Sequence, residues 1–296
     1  MSEPEHSVET QEEHDPPPIE DPDSDEISTE EELSEAREAT ETASPQSGEP
    51  DVLVEVDGIV KHYGPIKAVD GLSFEVRRGE VLGFLGPNGA GKTTAMRIVT
   101  GFLKPDAGRV RLAGHDLDRE SLEARHKLGY LPENAPAYGE MTVRGFLTFV
   151  AEARGIDDPG PAVDRVIRTA ALERVEHQSV ETLSKGYKRR VGLAQALIHD
   201  PEILILDEPT DGLDPNQKAM VQELISNLSE DKCIILSTHI LDEVEKTCSR
   251  VMIIAQGQVL VDGTPEELLQ RAADDGVPGE GRLDDLFRHL TAGEVR

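Results

Sequence analysis

Nine residues, Gly86-Pro87-Asn88-Gly89-Ala90-Gly91-Lys92-Thr93-Thr94, constrain this chain more than any other stretch. They match the pattern G-x-x-x-x-G-K-[ST] and follow an apolar run, Val81 to Leu85, that reads as a buried strand. Glycines at 86, 89 and 91 permit backbone angles and close approaches that a Cβ would block. Successive N–H groups can then turn inward and cradle the α- and β-phosphates of a nucleotide. Lys92 supplies a point charge for the β- and γ-phosphates, and Thr93 offers a hydroxyl to Mg²⁺. Thr94 is expected to open a helix running to Thr100, whose N-terminal partial positive charge faces the same anion. Strand, loop and helix come in the order that phosphate binding requires.

Around this loop the chain is long enough for a sizeable core: 296 residues, 37% of them hydrophobic. The formal net charge of −29 is unevenly spread. Residues 1–50 hold 18 of the 59 acidic residues and one basic residue, Arg37, with no aromatic side chain. Such a stretch cannot bury enough apolar surface to offset chain entropy, so a disordered acidic tail is expected there. The remaining body is also acidic, which disfavours nonspecific binding to nucleic acid. Two cysteines, Cys233 and Cys248, lie outside any CxxC or His-rich setting and read as buried reduced thiols. No apolar run reaches the ~18–20 residues that span a bilayer, and the acidic N-terminus lacks the features of a signal peptide. A cytosolic chain is expected, reaching a membrane through a partner.

Val52 to Val56 alternates as a strand, and Ala68 to Val76 and Arg109 to Ala113 follow, suggesting an antiparallel edge sheet. Met141 to Ala153 and the repeat Val163, Val166, Ile167, Ala170 have helical spacing, giving a helical insertion from about Pro136 to Val180. Three apolar strands come next, Ile203 to Leu206, Cys233 to Leu236 and Val251 to Ile254, as in a parallel sheet covered on both faces. Val259 to Val261 should pair back on the last of them through Gln256-Gly257. Thr264-Pro265 caps a further helix, and Gly276 to Gly281 precedes a short one, Leu283 to Leu290.

Asp207 and Glu208 end an apolar strand, the place from which phosphate-loop ATPases deliver a Mg²⁺-binding acid. Glu208 would then sit beside the γ-phosphate, placed to polarise an attacking water. With five further stretches the chain resembles the ATP-binding cassette (ABC) ATPases over residues 51–270. Leu183-Ser184-Lys185-Gly186-Tyr187 stands where that family has its LSGGQ signature. Ser184, Gly186 and the N-terminus of the following helix, expected over Lys188 to His199, imply a second anion site that closes on ATP held by another cassette. Asp211-Gly212-Leu213-Asp214 resembles the loop through which two cassettes touch, with Asp214 its matching acid. Ser237-Thr238-His239 carries the family's switch histidine in His239, which bonds the γ-phosphate. Tyr63, 23 residues before Gly86, matches an aromatic ring that lies against adenine.

Two departures stand out. Glu133, in Gly129-Tyr130-Leu131-Pro132-Glu133-Asn134, replaces a Gln that touches Mg²⁺ and relays to the membrane subunit; a carboxylate can still coordinate metal. Lys185 and Tyr187 replace a Gly and a Gln of the signature, while Ser184 and Gly186 keep the phosphate contacts.

The resemblance implies an α/β fold, a RecA-like phosphate-loop NTPase core with a mostly parallel sheet, an antiparallel β subdomain and a helical insertion at about 136–182. Residues 271–296 would form a flexible extension with a short helix. The motifs LPEN, LSKGY and DGLDPN are similar to those of ABC-2-type exporters, including gliding-motility-type and copper-processing relatives. The implied activity is ATP hydrolysis with Mg²⁺, coupled to a multi-spanning membrane permease subunit by a cassette that pairs with a second copy of itself. The implied location is the inner face of the cell membrane. A GTPase would need an NKxD-like segment, which is missing. The alternative is a non-transport cassette: repair types carry a long coiled coil between loop and signature, where only 91 residues separate Lys92 from Leu183, and translation types carry two cassettes per chain.

Overall fold

The computed structural model describes residues 51–133, 137–274, 276–279 and 282–291, all within one unit, Glu49–Arg296. The acidic stretch 1–50 and the insertion boundary at Pro136 lie outside the described residues. In chain order the elements are β1 (Val52–Tyr63), β2 (Ile66–Arg77), β3 (Val81–Leu85), α1 (Lys92–Val99), β4 (Ala107–Leu112), β5 (His115–Asp116) and α2 (Ser121–His126). Then come β6 (Leu128–Leu131), α3 (Val143–Ala153), α4 (Pro159–Thr169), α5 (Lys185–Leu197), β7 (Ile203–Asp207) and α6 (Pro215–Leu228). The chain continues through β8 (Cys233–Thr238), α7 (Leu241–Thr247), β9 (Arg250–Ala255), β10 (Gln258–Gly263), α8 (Pro265–Asp274) and α9 (Leu283–Thr291).

Strands β3, β7 and β8 are buried at every position, as their unbroken apolar sequences require when both faces of a sheet are covered. They form the middle of a six-stranded sheet ordered β10-β9-β3-β8-β7-β6. All neighbours in it run parallel except β9 and β10, which are joined at Gln256-Gly257. The register sets Leu85 opposite Thr238 and Asp207 opposite Ser237, so three adjacent strands end level. In an open parallel sheet that carboxyl edge is where ligands bind. Gly83 is needed inside β3, since a Cβ there would come within 2.8 Å of the Cys248 sulfur.

A second, antiparallel sheet is ordered β2-β1-β4-β5. Its β1–β2 hairpin closes with Tyr63 opposite Ile66 across Gly64, which takes φ +58. Helices α3 and α4 bury Phe146, Leu147, Val163 and Val166 in a core shared with α5, so the insertion is fastened to the main sheet through that helix. Thr142 caps α3, its hydroxyl accepting from Gly145 N at 3.1 Å.

Several expected boundaries move. The helix after the phosphate loop begins at Lys92 rather than Thr94, because Gly91 itself takes the left-handed cap conformation and releases the next residue into the helix. The signature helix begins at Lys185 rather than Lys188 and ends at Leu197, since Ser184 is its N-cap. Strand β6, read from sequence only as part of a motif, forms an edge of the main sheet. Among the described residues no helix is long and apolar enough to cross a membrane.

Candidate functional site

The phosphate loop leaves the carboxyl end of β3 and is held by contacts that admit only glycine at two places. A Cβ on Gly86 would lie 2.3 Å from the Ile254 carbonyl oxygen, and one on Gly91, at φ +102, would lie 2.2 Å from that of Ala68. Pro87 O accepts from Ala90 N at 3.1 Å and Ala90 O from Gly257 N at 2.9 Å, which closes the loop against β9–β10. Helix α1 starts without a side-chain cap, so the N–H groups of its first turn carry no competing acceptor from that source. Lys92 is buried and donates to the carbonyls of Gly86 at 2.6 Å and Pro87 at 3.2 Å. Burial pulls its pKa down, opposed by the charges of Glu208 and Asp207.

Asp207 is the last residue of β7 and is buried. One carboxylate oxygen accepts from the Ser237 hydroxyl; the other, also buried, has no hydrogen-bond partner. Glu208 follows in the left-handed region, at φ +51. Its N–H donates to the Ser237 carbonyl and hydroxyl, each at 3.1 Å. Its Oε2 lies 2.9 Å from His239 Nδ1. Burial raises the Glu208 pKa, and the bond to His239 together with its charge and that of Lys92 pulls it back.

A pocket of 470 Å³ gathers these groups: Tyr63, Asn88 to Thr94, Glu133, Glu208, Asp211 and His239 line it. Tyr63 is 49% exposed, with its ring on the surface rather than in the core. A neighbouring cavity of 750 Å³ is lined by Thr93, Glu133 and Asp207 together with Arg97, Arg125, Arg154, Phe102 and Tyr130. Ser184, Gly186 and Asp214 do not line the phosphate-loop pocket of their own chain. Ser184 caps α5, accepting from Tyr187 N at 3.4 Å, and Asp214 caps α6, accepting from Asn216 N and Gln217 N at 3.0 Å.

Two buried side chains escaped the sequence reading. Arg189, on α5, donates to five backbone carbonyls: Pro132, Glu133, Asp207, Glu208 and Pro209. Glu243, on α7, accepts from Thr210 Oγ1, from Lys218 Nζ at 2.9 Å and from Thr238 Oγ1 at 3.4 Å, linking the segments after β7 and β8. In sequence Arg189 sits in the basic run Lys188-Arg189-Arg190 and Glu243 in an acidic pair; neither setting signals burial.

A glycine-rich loop, an uncapped helix start, a buried lysine and two acids at a level sheet edge define a nucleotide-binding phosphate-loop ATPase. The chain belongs to the ATP-binding cassette family: its residues 69–211 match the family described as ABC transporter. It is 40% identical over 223 residues to the Nod factor export ATP-binding protein I of Paraburkholderia xenovorans (strain LB400), which covers 74% of this chain and 73% of that one. It is 37% identical over 241 residues to the daunorubicin resistance ATP-binding protein DrrA3 of Streptomyces coeruleorubidus, covering 80% and 74%. Among solved structures, an ATP-binding subunit of an ABC transporter superposes with TM-score 0.72 at 30% identity, over 81% of this chain and 99% of the other.

Proposed function

We propose that this chain is the ATP-hydrolysing subunit of an ABC-2-type exporter, working beside a separate multi-spanning permease subunit at the inner face of the membrane and closing head to tail on a second copy of itself. The relatives named for Nod factor export support the direction of transport. The observation that carries the reading is the level end of β3, β7 and β8, which sets Lys92, Glu208 and His239 around one pocket.

The triphosphate would lie on the loop Gly86 to Thr94, with Lys92 exchanging the Gly86 and Pro87 carbonyls for phosphate oxygens. Tyr63, which lines the pocket, would stack on the base. The buried, unpartnered oxygen of Asp207 fits a divalent cation, because an orphaned carboxylate lone pair is costly without one. Thr93, Glu133 and Asp207 would hold Mg²⁺, which would neutralise charge developing on the phosphates. Glu208 would take a proton from the attacking water. The 2.9 Å contact with Nδ1 of His239 would hold that carboxylate beside the histidine that faces the γ-phosphate. Ser184, Gly186 and Asp214, placed away from their own chain's pocket, would complete the pocket of the second copy. Arg97, Arg125 and Arg154 line the larger cavity, so a permease segment bearing a carboxylate would suit that surface.

Glu208→Gln tests the reading. Turnover should drop about 10²–10⁴-fold while ATP still binds, and Mg-ATP should hold the variant as a dimer in light scattering. Hydrolysis at the parental rate would remove Glu208 from the mechanism.

A further inference from the structure

The guanidinium of Arg189 uses every donor it has. Nε donates to Pro209 O at 3.2 Å, Nη1 to Pro132 O at 2.9 Å and Glu133 O at 2.6 Å, and Nη2 to the carbonyls of Asp207 and Glu208. Five N–H groups therefore meet five carbonyls, which is the full capacity of the side chain. The residue is 7% exposed and pairs with no carboxylate among the described residues; burial pulls its pKa down, opposed by the charges of Asp207, Asp211, Glu208 and Glu133. The acceptors come from two separate segments, 132–133 after β6 and 207–209 at the end of β7. Arg189 thus ties both to α5, the helix that Ser184 caps. Its neighbour Arg190 faces the other way, donating to Ala171 O at 2.9 Å.

Glu208 needs such a tie. A non-glycine residue at φ +51 occupies a sparsely populated region and persists there only when its surroundings hold it. Ser237 fixes the N–H side of Glu208, and Arg189 fixes its carbonyl side. Between these anchors the side chain is aimed at His239.

We propose that Arg189 is a positioning residue for hydrolysis: its five-way fork holds Glu208 in the water-activating orientation and links that orientation to the Pro132-Glu133 segment of the metal-side cavity. The inference rests on the assignment of Glu208 above. Arg189 reaches no residue of the phosphate loop, so losing the fork should slow turnover without weakening ATP binding.

The test uses the full chain as Arg189→Lys and Arg189→Gln, with Glu208→Gln and the double variants alongside. A fluorescent ATP analogue reports affinity, calorimetry reports Tm, and single-turnover hydrolysis reports the chemical step. Lysine keeps a charge but has three donors in no fixed fork. The proposal expects both single variants to fall below one tenth of the parental rate, with analogue affinity kept within about twofold. It also expects Arg189→Lys to cost less than threefold in the Glu208→Gln background, because the two residues then act through one step. Turnover above one tenth of the parental rate, a full additional loss in the double variant, or loss of analogue binding by both single variants overturns it. Parental turnover by Glu208→Gln alone would instead overturn the assignment of Glu208, so the two failures are distinct.

Discussion

Helices α1 and α5 both present an N-terminus to where a phosphate is expected, and they do so in opposite states. At α1 the cap is Gly91, which offers no side chain, so the turn is left open for an anion from outside the chain. At α5 the cap is Ser184, whose hydroxyl already accepts from Tyr187 N across a long 3.4 Å. Lys185 beside it is paired with Asp211 at 2.9 Å, and Asp211 belongs to the segment just after Glu208. The first site is arranged for a ligand and gathers its lysine and acids within one chain. The second is satisfied within its own chain and, in the proposed pair of cassettes, would meet a second chain's nucleotide.

Breaking the open end should have the larger effect. Lys92→Ala removes a charged hydrogen-bond donor from a site made for anions, worth roughly 1.5–3 kcal/mol, so ATP affinity should fall about tenfold to a hundredfold in a calorimetric titration. Equal binding by variant and parent would remove Lys92 from the phosphate site. At the capped end, Ser184→Asp sharpens the contrast. Aspartate caps as well as serine, so Tm should hold, yet its charge would repel the γ-phosphate of a partner. Turnover should drop about tenfold or more, with single-chain ATP affinity unchanged. A variant that dimerises and hydrolyses like the parent would show that α5 is only a capped helix.

The smallest effect concerns the far end of α5, away from both anion sites. His199 is held with Nε2 3.0 Å from the Leu128 carbonyl, while its buried Nδ1 has no partner. Burial, with help from the Arg154 charge, lowers its pKa to about 4. The unfolded chain takes up this proton near pH 6.5 and the folded one does not, so this histidine costs stability as pH falls from about 6.5 towards 4. His199→Gln keeps a donor for Leu128 and removes the titration. The fall of Tm between pH 7 and 5 should be a few degrees shallower, at roughly 2–4 °C per kcal/mol, and an unchanged slope would assign the acid sensitivity elsewhere.

The central sheet was legible because β3, β7, β8 and β9 are apolar runs bounded by polar turns, and the phosphate loop because its glycines recur at fixed spacing. Strand β6 was not: four residues including Gly129 leave too little periodicity, and its sheet place comes from pairing with β7. Helix α6 is less legible although Asp214-Pro215 opens it with a cap and a proline, since only Val221 and Ile225 of its residues are buried and its apolar stripe is thin. The site residues that emerged from motifs all sit where backbone geometry is local. Arg189 and Glu243 act across 18 to 57 and 5 to 33 residues of separation, respectively, which no short pattern encodes.

The packing of Cys248 under Gly83 has a practical side. Both natural thiols are buried, and burial pushes them up, Cys248 to about 12, so neither carries an appreciable thiolate at neutral pH. The molecule is therefore silent towards maleimides while it stays folded. A single cysteine introduced at Asn88 or at Lys185 would take a spin label or fluorophore alone, with the native pair left in place. Labelling at those two positions would test whether the open helix end of one copy meets the capped end of another.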